Sequence, residues 1–407
     1  MAQAYARGTL SGGGMKIHVI GAGLAGLSAA CTLAERGHEV VLFESAGQAG
    51  GRARSYFDKQ LGCRIDNGNH MLLSGNHAAF AYLQRIGAQE TLIGPTAPLF
   101  PFKDLAADKH WVLQLSNGRL PLWMLRPSQR VPGTKLRDYA SLLKLRKAKQ
   151  DDIVTDIIAP TSALYKNLIE TLTISGLNTM PDVASAQPLA AIFAETVARG
   201  GAASQPRWAK TGLSESFVDP ALDWLKAKGT QVHFNTRTTA LTPEQPTILA
   251  VPPWVAQDLM PELTVPDAFE SICNLHFKAQ MPADEFGFYG LLGSMAEWVF
   301  ARDEVISVTI SAANRYAHLT QEEIATRVWA ELSRSFKLDT KLPAYRVLWE
   351  KRATFACTPA QLAKRPSAQS PRKNVMLAGD WTNTGLPATI EGAIRSGVSA
   401  ADALLNS

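Results

Sequence analysis

Residues 16–44 read "KIHVIGAGLAGLSAACTLAERGHEVVLFE", and their spacing sets the architecture of the chain. Ile17 to Ile20 is a short apolar run suited to a buried parallel strand. Gly21, Gly23 and Gly26 then give G-x-G-x-x-G. A helical pattern runs to Arg36, Gly37 ends it, and "HEVVLFE" is a second strand closing on Glu44, 18 residues past Gly26. The glycine spacing alone is weak. Between a strand and a helix, with an acid beyond, it is a dinucleotide-binding fingerprint. Gly21 allows the tight turn, Gly23 lets the backbone approach a pyrophosphate, and Gly26 permits close helix-to-strand packing. The helix N-terminus offers free N–H groups and a positive dipole end. Glu44 can accept a hydrogen bond from an adenosine ribose hydroxyl, and an acid there disfavours a 2′-phosphate.

The rest of the chain is ordinary in composition: 407 residues, 46% hydrophobic, 19% charged, net charge +5. That length suits two or three domains, and so mild a basic excess does not call for nucleic acid. Cys31, Cys63, Cys273 and Cys357 form no metal-binding spacing, and the histidines form no H-E-x-x-H, so no metal is expected and the thiols read as those of a cytoplasmic protein. Ile17 to Ala34 lacks any charge, yet it holds the glycine fingerprint and so is neither signal peptide nor membrane span. Residues 1–14, "MAQAYARGTLSGGG", have no periodicity and read as a disordered leader.

Two further elements name the cofactor. "AGQAGGRARS" (46–55) places Gly50, Gly51 and Arg52 just after Glu44. This pattern resembles the GGR signature of the amine oxidase and phytoene desaturase superfamily of flavoproteins, in which the Arg lies against FAD. "NVMLAGDWTNTGLPATIEGAIRSGVSAADALL" (374–405) is a strand, Gly379-Asp380, a loop and a helix starting near Thr389. The resemblance implies that this element closes the FAD site. Asp380 would then contact the ribityl-phosphate region, and the helix N-terminus at Thr389 and Ile390 would face the flavin pyrimidine edge, where reduced flavin carries negative charge. In "KGTQVHFNTRTTALTPEQPTILAVPP" (228–253) a strand pair is expected, with a backbone group near Thr238 reading the adenine. The fold expected is α/β: a discontinuous Rossmann-type FAD-binding domain (15–75, 211–262, 346–407) with an inserted α+β substrate domain (76–210, 263–345).

"DNGNH" (66–70) sits between two strand-like segments. Asn-Gly in that setting is first of all a hairpin signal. With "GLNTMPDVAS" (176–185), "FVDPALDWLKAKG" (217–229), "EKRATFACTP" (350–359) and "AGDWTNTGLPATIEGAIRSG" (378–397), it resembles the squalene-associated FAD-dependent enzymes, the hydroxysqualene dehydroxylases of bacterial hopanoid biosynthesis. Two positions depart from that pattern: Asn69 stands where Gln is usual, and Cys357 where a small residue such as Ala is expected. The resemblance implies that hydroxysqualene and reduced FAD give squalene, water and oxidised FAD. Loss of an allylic hydroxyl leaves a delocalised cation that hydride quenches, so the site needs a proton donor and a dry apolar tunnel. In related flavoproteins the "DNGNH" segment runs toward the flavin ring. His70 is the first candidate acid. Asp66 could orient its imidazole or be the acid itself, Asn67 and Asn69 could orient the hydroxyl, and Glu391 is a further acid near the flavin-facing helix.

The lipid has to reach that site. From Arg119 to Lys149 there are nine Lys or Arg and one acid, Asp138. From Tyr139 onward Leu142, Leu143 and Leu145 alternate with Lys144, Arg146, Lys147 and Lys149, a pattern expected of a helix resting on anionic headgroups of the cytoplasmic membrane face. Three rival readings share the flavin elements: a carotenoid-type desaturase running the opposite redox direction, an amine oxidase, and a flavin-bearing scaffold without turnover. An amine oxidase needs an aromatic cage beside the flavin, for which Trp381 is one suitable aromatic. Nothing in the sequence names the electron donor that reduces FAD.

Overall fold

A computed structural model describes residues 14–118, 120–282 and 286–407. Apart from Gly14, the expected leader lies outside the described residues. The fingerprint folds as β1 (Lys16–Ile20), α1 (Leu24–Glu35) and β2 (Glu39–Phe43). β1 pairs in parallel with β2, Ile17 opposite Val40. Three strands complete this sheet: β3 (Gln231–His233), β4 (Thr247–Leu249) and β5 (Val375–Leu377), in the order β3-β2-β1-β4-β5. Every pairing is parallel. β3 and β4 are thus not a pair: β3 lies at the edge beside β2, and β4 lies between β1 and β5.

The sheet's apolar strands are buried because helices cover it. α1 packs against the terminal helix α2 (Ile390–Leu405) at backbone distance. A Cβ at Gly397 would stand 2.2 Å from the Ala25 carbonyl oxygen, so only glycine allows this approach. Ser28 Oγ donates to the Ile394 carbonyl at 2.9 Å across the same contact.

A second, seven-stranded sheet runs in the spatial order 345–355, 269–278, 305–310, 298–302, 288–292, 99–104, 109–114. Its pairings are antiparallel except that between 288–292 and 99–104. Alternate residues of a strand face opposite ways. Cys273, Leu275 and Phe277 pack with Ile306, Val308, Trp329 and Phe336 under the helix Gln321–Phe336. Asn274 and His276 point the other way, toward Thr309 and Ser307 and toward the "DNGNH" segment. The strand Tyr345–Phe355 was expected in the FAD-binding part from residue 346; instead it is an edge strand of this second sheet, Leu275 opposite Val347. Its alternation suits either sheet, and the pairing partner is chosen by distant residues.

The basic segment also differs from expectation. Its α-helix is only Ala140–Leu145, flanked by single 3-10 turns at Leu122–Leu125, Pro127–Gln129 and Leu136–Tyr139. Leu145 is buried and Leu142 half-buried. The expected amphipathic helix is therefore turned with its leucines mainly inward, and Leu143 alone of the three is exposed.

Candidate flavin and substrate site

At the carboxyl end of β1 the chain turns at Gly21, whose N–H donates to the Phe43 carbonyl at 2.7 Å and whose φ is +102°. Gly23 is the N-cap of α1 and no side chain caps this helix. The first-turn N–H groups are therefore left for an external acceptor. The three glycines differ in what surrounds them. A Cβ at Gly26 would lie 1.8 Å from the Gly21 carbonyl oxygen, and one at Gly21 would lie 2.3 Å from that of Ala250. A Cβ at Gly23 would meet nothing within 4 Å. Two glycines close the protein on itself, and the third faces open space.

Glu44 accepts from the Ala22 N–H (2.8 Å, through Oε2) and the Ala46 N–H (2.8 Å, through Oε1), which ties it to the glycine turn and leaves lone pairs over. Thr236 N–H donates to the Glu44 carbonyl at 2.8 Å, so Thr238 lies two residues beyond a loop that runs alongside Glu44. The second glycine pair is locked to the first turn: Gly50 N–H donates to the Ala22 carbonyl at 2.8 Å. A Cβ at Gly51 would stand 3.4 Å from the Gly23 Cα.

Arg52 then crosses to the other end of the chain. Its Nη2 lies 2.7 Å from each carboxylate oxygen of Asp380, and its Nη1 donates to the Ala353 carbonyl. Asp380 follows Gly379, whose N–H donates to Ser396 Oγ at 2.8 Å within α2. Thr389 caps α2, accepting from Gly392 N–H at 3.0 Å, and Ile390 is the first helical residue. Arg365, which sequence reasoning missed, organises the same loop. It is buried and donates to the carbonyls of Asp380 (3.2 Å), Trp381 (3.4 Å) and Thr382. Burial lowers its pKa to about 10, against the pull of Cys357 and Asp380. In "AKRPS" it looks like any surface arginine.

Trp381 is no cage wall: it is buried and donates through Nε1 to the Val251 carbonyl at 2.9 Å. Glu391 is no candidate acid either. Its carboxylate is buried and accepts from Ala78 N–H (3.0 Å), Ala79 N–H (2.8 Å) and Arg395 Nη2 (2.9 Å), anchoring the N-terminus of the helix His77–Arg85. Cys357, the departure from the family pattern, is buried, and burial pushes its thiol up to about 12, so it stands as a neutral, unreactive thiol.

"DNGNH" is not a hairpin. Cys63–Asp66 pairs with Ser55–Asp58, whereas Leu72–Leu73 pairs with Pro206–Ala209. Neither Asn67 nor Gly68 has positive φ. The segment instead crosses between sheets and packs on the second: a Cβ at Gly68 would touch Asn274 Nδ2 at 2.9 Å. A polar chain follows, in which Asn274 Nδ2 donates to the Asn67 carbonyl (3.2 Å), Thr309 Oγ1 to Asn274 Oδ1 (3.0 Å), and Asn69 Nδ2 to Thr309 Oγ1 (3.2 Å).

Asp66 does not orient His70. Its Oδ1 accepts from Ser55 Oγ (2.6 Å) and Leu213 N–H (2.9 Å), and its Oδ2 pairs with Arg302 Nη1 (2.8 Å). Every donor it holds is structural, which removes it as acid and as tautomer guide. His70 makes no side-chain hydrogen bond to a described residue. Burial lowers its pKa to about 4, Asp66 pulling it up and Arg52 pushing it further down. His70 is half-buried and the Arg52 side chain keeps 44% of its surface accessible, so both groups remain open to a bound molecule.

The sheet face beside this polar chain is aromatic. Phe288 stacks at 6.0 Å on both Trp298 and Phe300, and Trp208 lies 5.1 Å from Phe288.

An uncapped helix end on a glycine turn, joined through an arginine to a second glycine element and helix, is the cofactor cradle of a flavoprotein. Flavin containing amine oxidoreductases match over residues 24–405. The chain is 43% identical to a hydroxysqualene dehydroxylase of Zymomonas mobilis and 42% to one of Rhodopseudomonas palustris, over 96% of this chain and 99% and 98% of theirs. Similarity to the zeta-carotene desaturase of Capsicum annuum, 38% identical, spans only 79 residues, 19% of this chain and 13% of that one. Cyclohexylamine oxidase from Brevibacterium oxydans shares the fold, with a TM-score of 0.70 at 15% identity over 97% of this chain and 99% of that one. The chain belongs to the flavin containing amine oxidoreductases and, among them, to the hydroxysqualene dehydroxylases. Its cofactor is FAD, and the open space at Gly23 beside uncapped N–H groups fits a pyrophosphate.

Proposed function

We propose that this chain removes the allylic hydroxyl of hydroxysqualene to give squalene and water. The observation that carries the reading is the full-length similarity to hydroxysqualene dehydroxylases, on a chain whose two glycine elements meet at Arg52 and Asp380. Reduced FAD, when bound, supplies the hydride.

The chain's own residues have three tasks. The first is to hold FAD: Gly21 and Gly26 fix the turn, Gly23 and the α1 N-terminus receive the pyrophosphate, Glu44 the ribose, and the loop at Thr238 the adenine. Gly51, Arg52, Gly379 and Asp380 hold the ribityl-phosphate region, and Thr389 and Ile390 open a helix whose positive end suits an anionic pyrimidine edge. In this reading segments 15–75, 211–262 and 346–407 bind FAD, and 76–210 with 263–345 enclose a long isoprenoid lipid. The strand Tyr345–Phe355 serves both.

The second task is to move a proton to the departing oxygen. His70 carries one N–H as a neutral imidazole and gains the second proton where negative charge lies beside it. Asn69 spends its amide N–H on Thr309, which leaves Oδ1 to orient the hydroxyl. The third is to keep water out. Phe288, Trp298 and Phe300 are buried and make the sheet face beside the polar chain apolar, which protects a delocalised allylic cation from capture by water.

The test is to incubate anaerobic, chemically reduced protein with hydroxysqualene and look for squalene by mass spectrometry. Conversion is expected. With flavin fully bound and no squalene formed, the reading fails in favour of a desaturase working in the opposite direction.

A further inference from the structure

We propose that residues 120–149 form a membrane foot, whose leucines enter the interfacial layer of an anionic bilayer while the surrounding cations hold lipid phosphates. The proposal rests on the reading of the substrate as a lipid dissolved in that bilayer. Among the described residues nine large apolar side chains are exposed, and five lie in this one segment: Leu120 (69%), Leu122 (51%), Leu125 (59%), Leu136 (48%) and Leu143 (68%). Poor packing does not explain them. The segment is pinned from beneath by Trp123 and Tyr139, both buried, whose rings meet edge to face at 5.3 Å. Tyr139 OH accepts from Val131 N–H at 3.0 Å, and Arg130 Nε folds back on the Met124 carbonyl at 2.6 Å. The 3-10 turns Leu122–Leu125 and Leu136–Tyr139 are therefore clamped side by side, with leucines projecting from both. Clustered apolar side chains on an ordered surface mark a docking site.

Charge identifies the occupant. Seven Lys and Arg side chains between Arg126 and Lys149 are exposed. The segment's single acid, Asp138, is engaged by the Lys135 N–H at 2.7 Å and approached by Arg137 only at 4.0 Å. Apart from Arg137, none of these exposed cations pairs with an acid among the described residues, and leucines in so basic a segment fit an anionic headgroup layer with acyl chains below. A second copy of this chain, docked face to face about a two-fold axis, would set cations against cations. The foot also leads inward: Trp123, Tyr139 and Leu145 belong to the same buried cluster as Phe288, Trp298, Phe300 and Trp381. The foot and the second flavin element thus rest on one continuous apolar core.

The experiment uses the flavin-loaded full chain with vesicles of phosphatidylcholine alone or mixed with phosphatidylglycerol, read by flotation at moderate salt. Wild-type protein is expected to float with the mixed vesicles and much less with the neutral ones. Lys144→Gln, Lys147→Gln and Lys149→Gln together should lower partitioning roughly 100-fold, about fivefold for each cation. Leu122→Ser, Leu125→Ser and Leu143→Ser together should abolish flotation, with flavin content and thermal midpoint unchanged. Failure of the wild type to float, or undiminished flotation of the leucine variant, overturns the proposal. So does a leucine variant that merely dissociates an oligomer on gel filtration while the wild type ignores vesicles. Conversion of detergent-dispersed hydroxysqualene by a protein that does not float sinks this inference alone. Flotation without conversion sinks the functional reading alone.

Discussion

The Asp66 carboxylate gathers donors from three separate parts of the chain, Ser55, Leu213 and Arg302, and so ties the ribbon 55–66 to the second sheet. Its side chain is 8% exposed and that of Arg302 24%. Removing one partner of such a pair leaves the other charge uncompensated and costs about 3 kcal/mol. Asp66→Asn should therefore lower the urea midpoint while turnover per bound flavin is retained; a stable variant that loses turnover would return Asp66 to the chemistry. His70, four residues on, is expected to behave oppositely. His70→Ala should keep its flavin and its stability and lose roughly 10²-fold or more in kcat, the usual weight of a proton-transfer group. Normal turnover in a flavin-loaded variant rules the role out. The sequence marked the pentapeptide as chemically loaded but could not divide labour within it. The partners that commit Asp66 to structure lie at 213 and 302, and no spacing rule reaches that far.

At the scale of single elements, the glycine turn was readable because its rule is local: strand, turn and helix are adjacent, Gly26 answers to backbone five residues away, and Gly21 to Ala250 just past β4. The same geometry separates the glycines experimentally. Gly26→Ala forces a Cβ to 1.8 Å from a carbonyl oxygen, so it should yield little folded protein. Gly23→Ala meets only open space and should fold with a near-native thermal midpoint in the flavin-free state, yet bind FAD far more weakly in a fluorescence titration. Equal flavin affinity in Gly23→Ala would mean that the pyrophosphate lies elsewhere. Less local elements were less readable. The strand 345–355 alternates in the way any half-buried strand does, and its sheet was settled by pairing with 269–278. The basic segment showed its charge pattern plainly, but which leucines face outward depends on Trp123 and Tyr139 turning in. That preference follows from the shape of the core beneath.

Across the whole molecule, the two halves meet where "DNGNH" lies on the polar face of the second sheet, and this junction contains imidazoles that the fold keeps neutral. His276 is buried beside Ser307, its Nδ1 2.7 Å from the hydroxyl oxygen. Burial lowers its pKa to about 4, with Asp66 opposing and Arg302 reinforcing. That the chain's two glycine elements would converge, as they do at Arg52 and Asp380, was legible, because two flavin motifs imply one flavin. That a histidine on a strand of the second sheet would sit unprotonated was not, since burial is decided by everything packed around it. The consequence is a pH dependence with a definite sign. Above the ordinary value of about 6.5 both folded and unfolded chains hold a neutral imidazole, and stability is complete. As pH falls from there toward 4, the unfolded chain takes up a proton that the folded one refuses, and up to about 3 kcal/mol of stability is lost from His276. Below the folded pKa the loss levels off, and His70 acts in the same direction over the same window. His276→Asn keeps an amide near the Ser307 hydroxyl and removes the titration. It should be less stable than wild type at about pH 7.5, through lost packing, and the difference should shrink or reverse on going to about pH 4.5. Thermal midpoints of both proteins across that range decide the matter. Parallel curves would mean that His276 takes its proton in the folded protein as readily as in the unfolded chain, and that the junction is wetter than its packing implies.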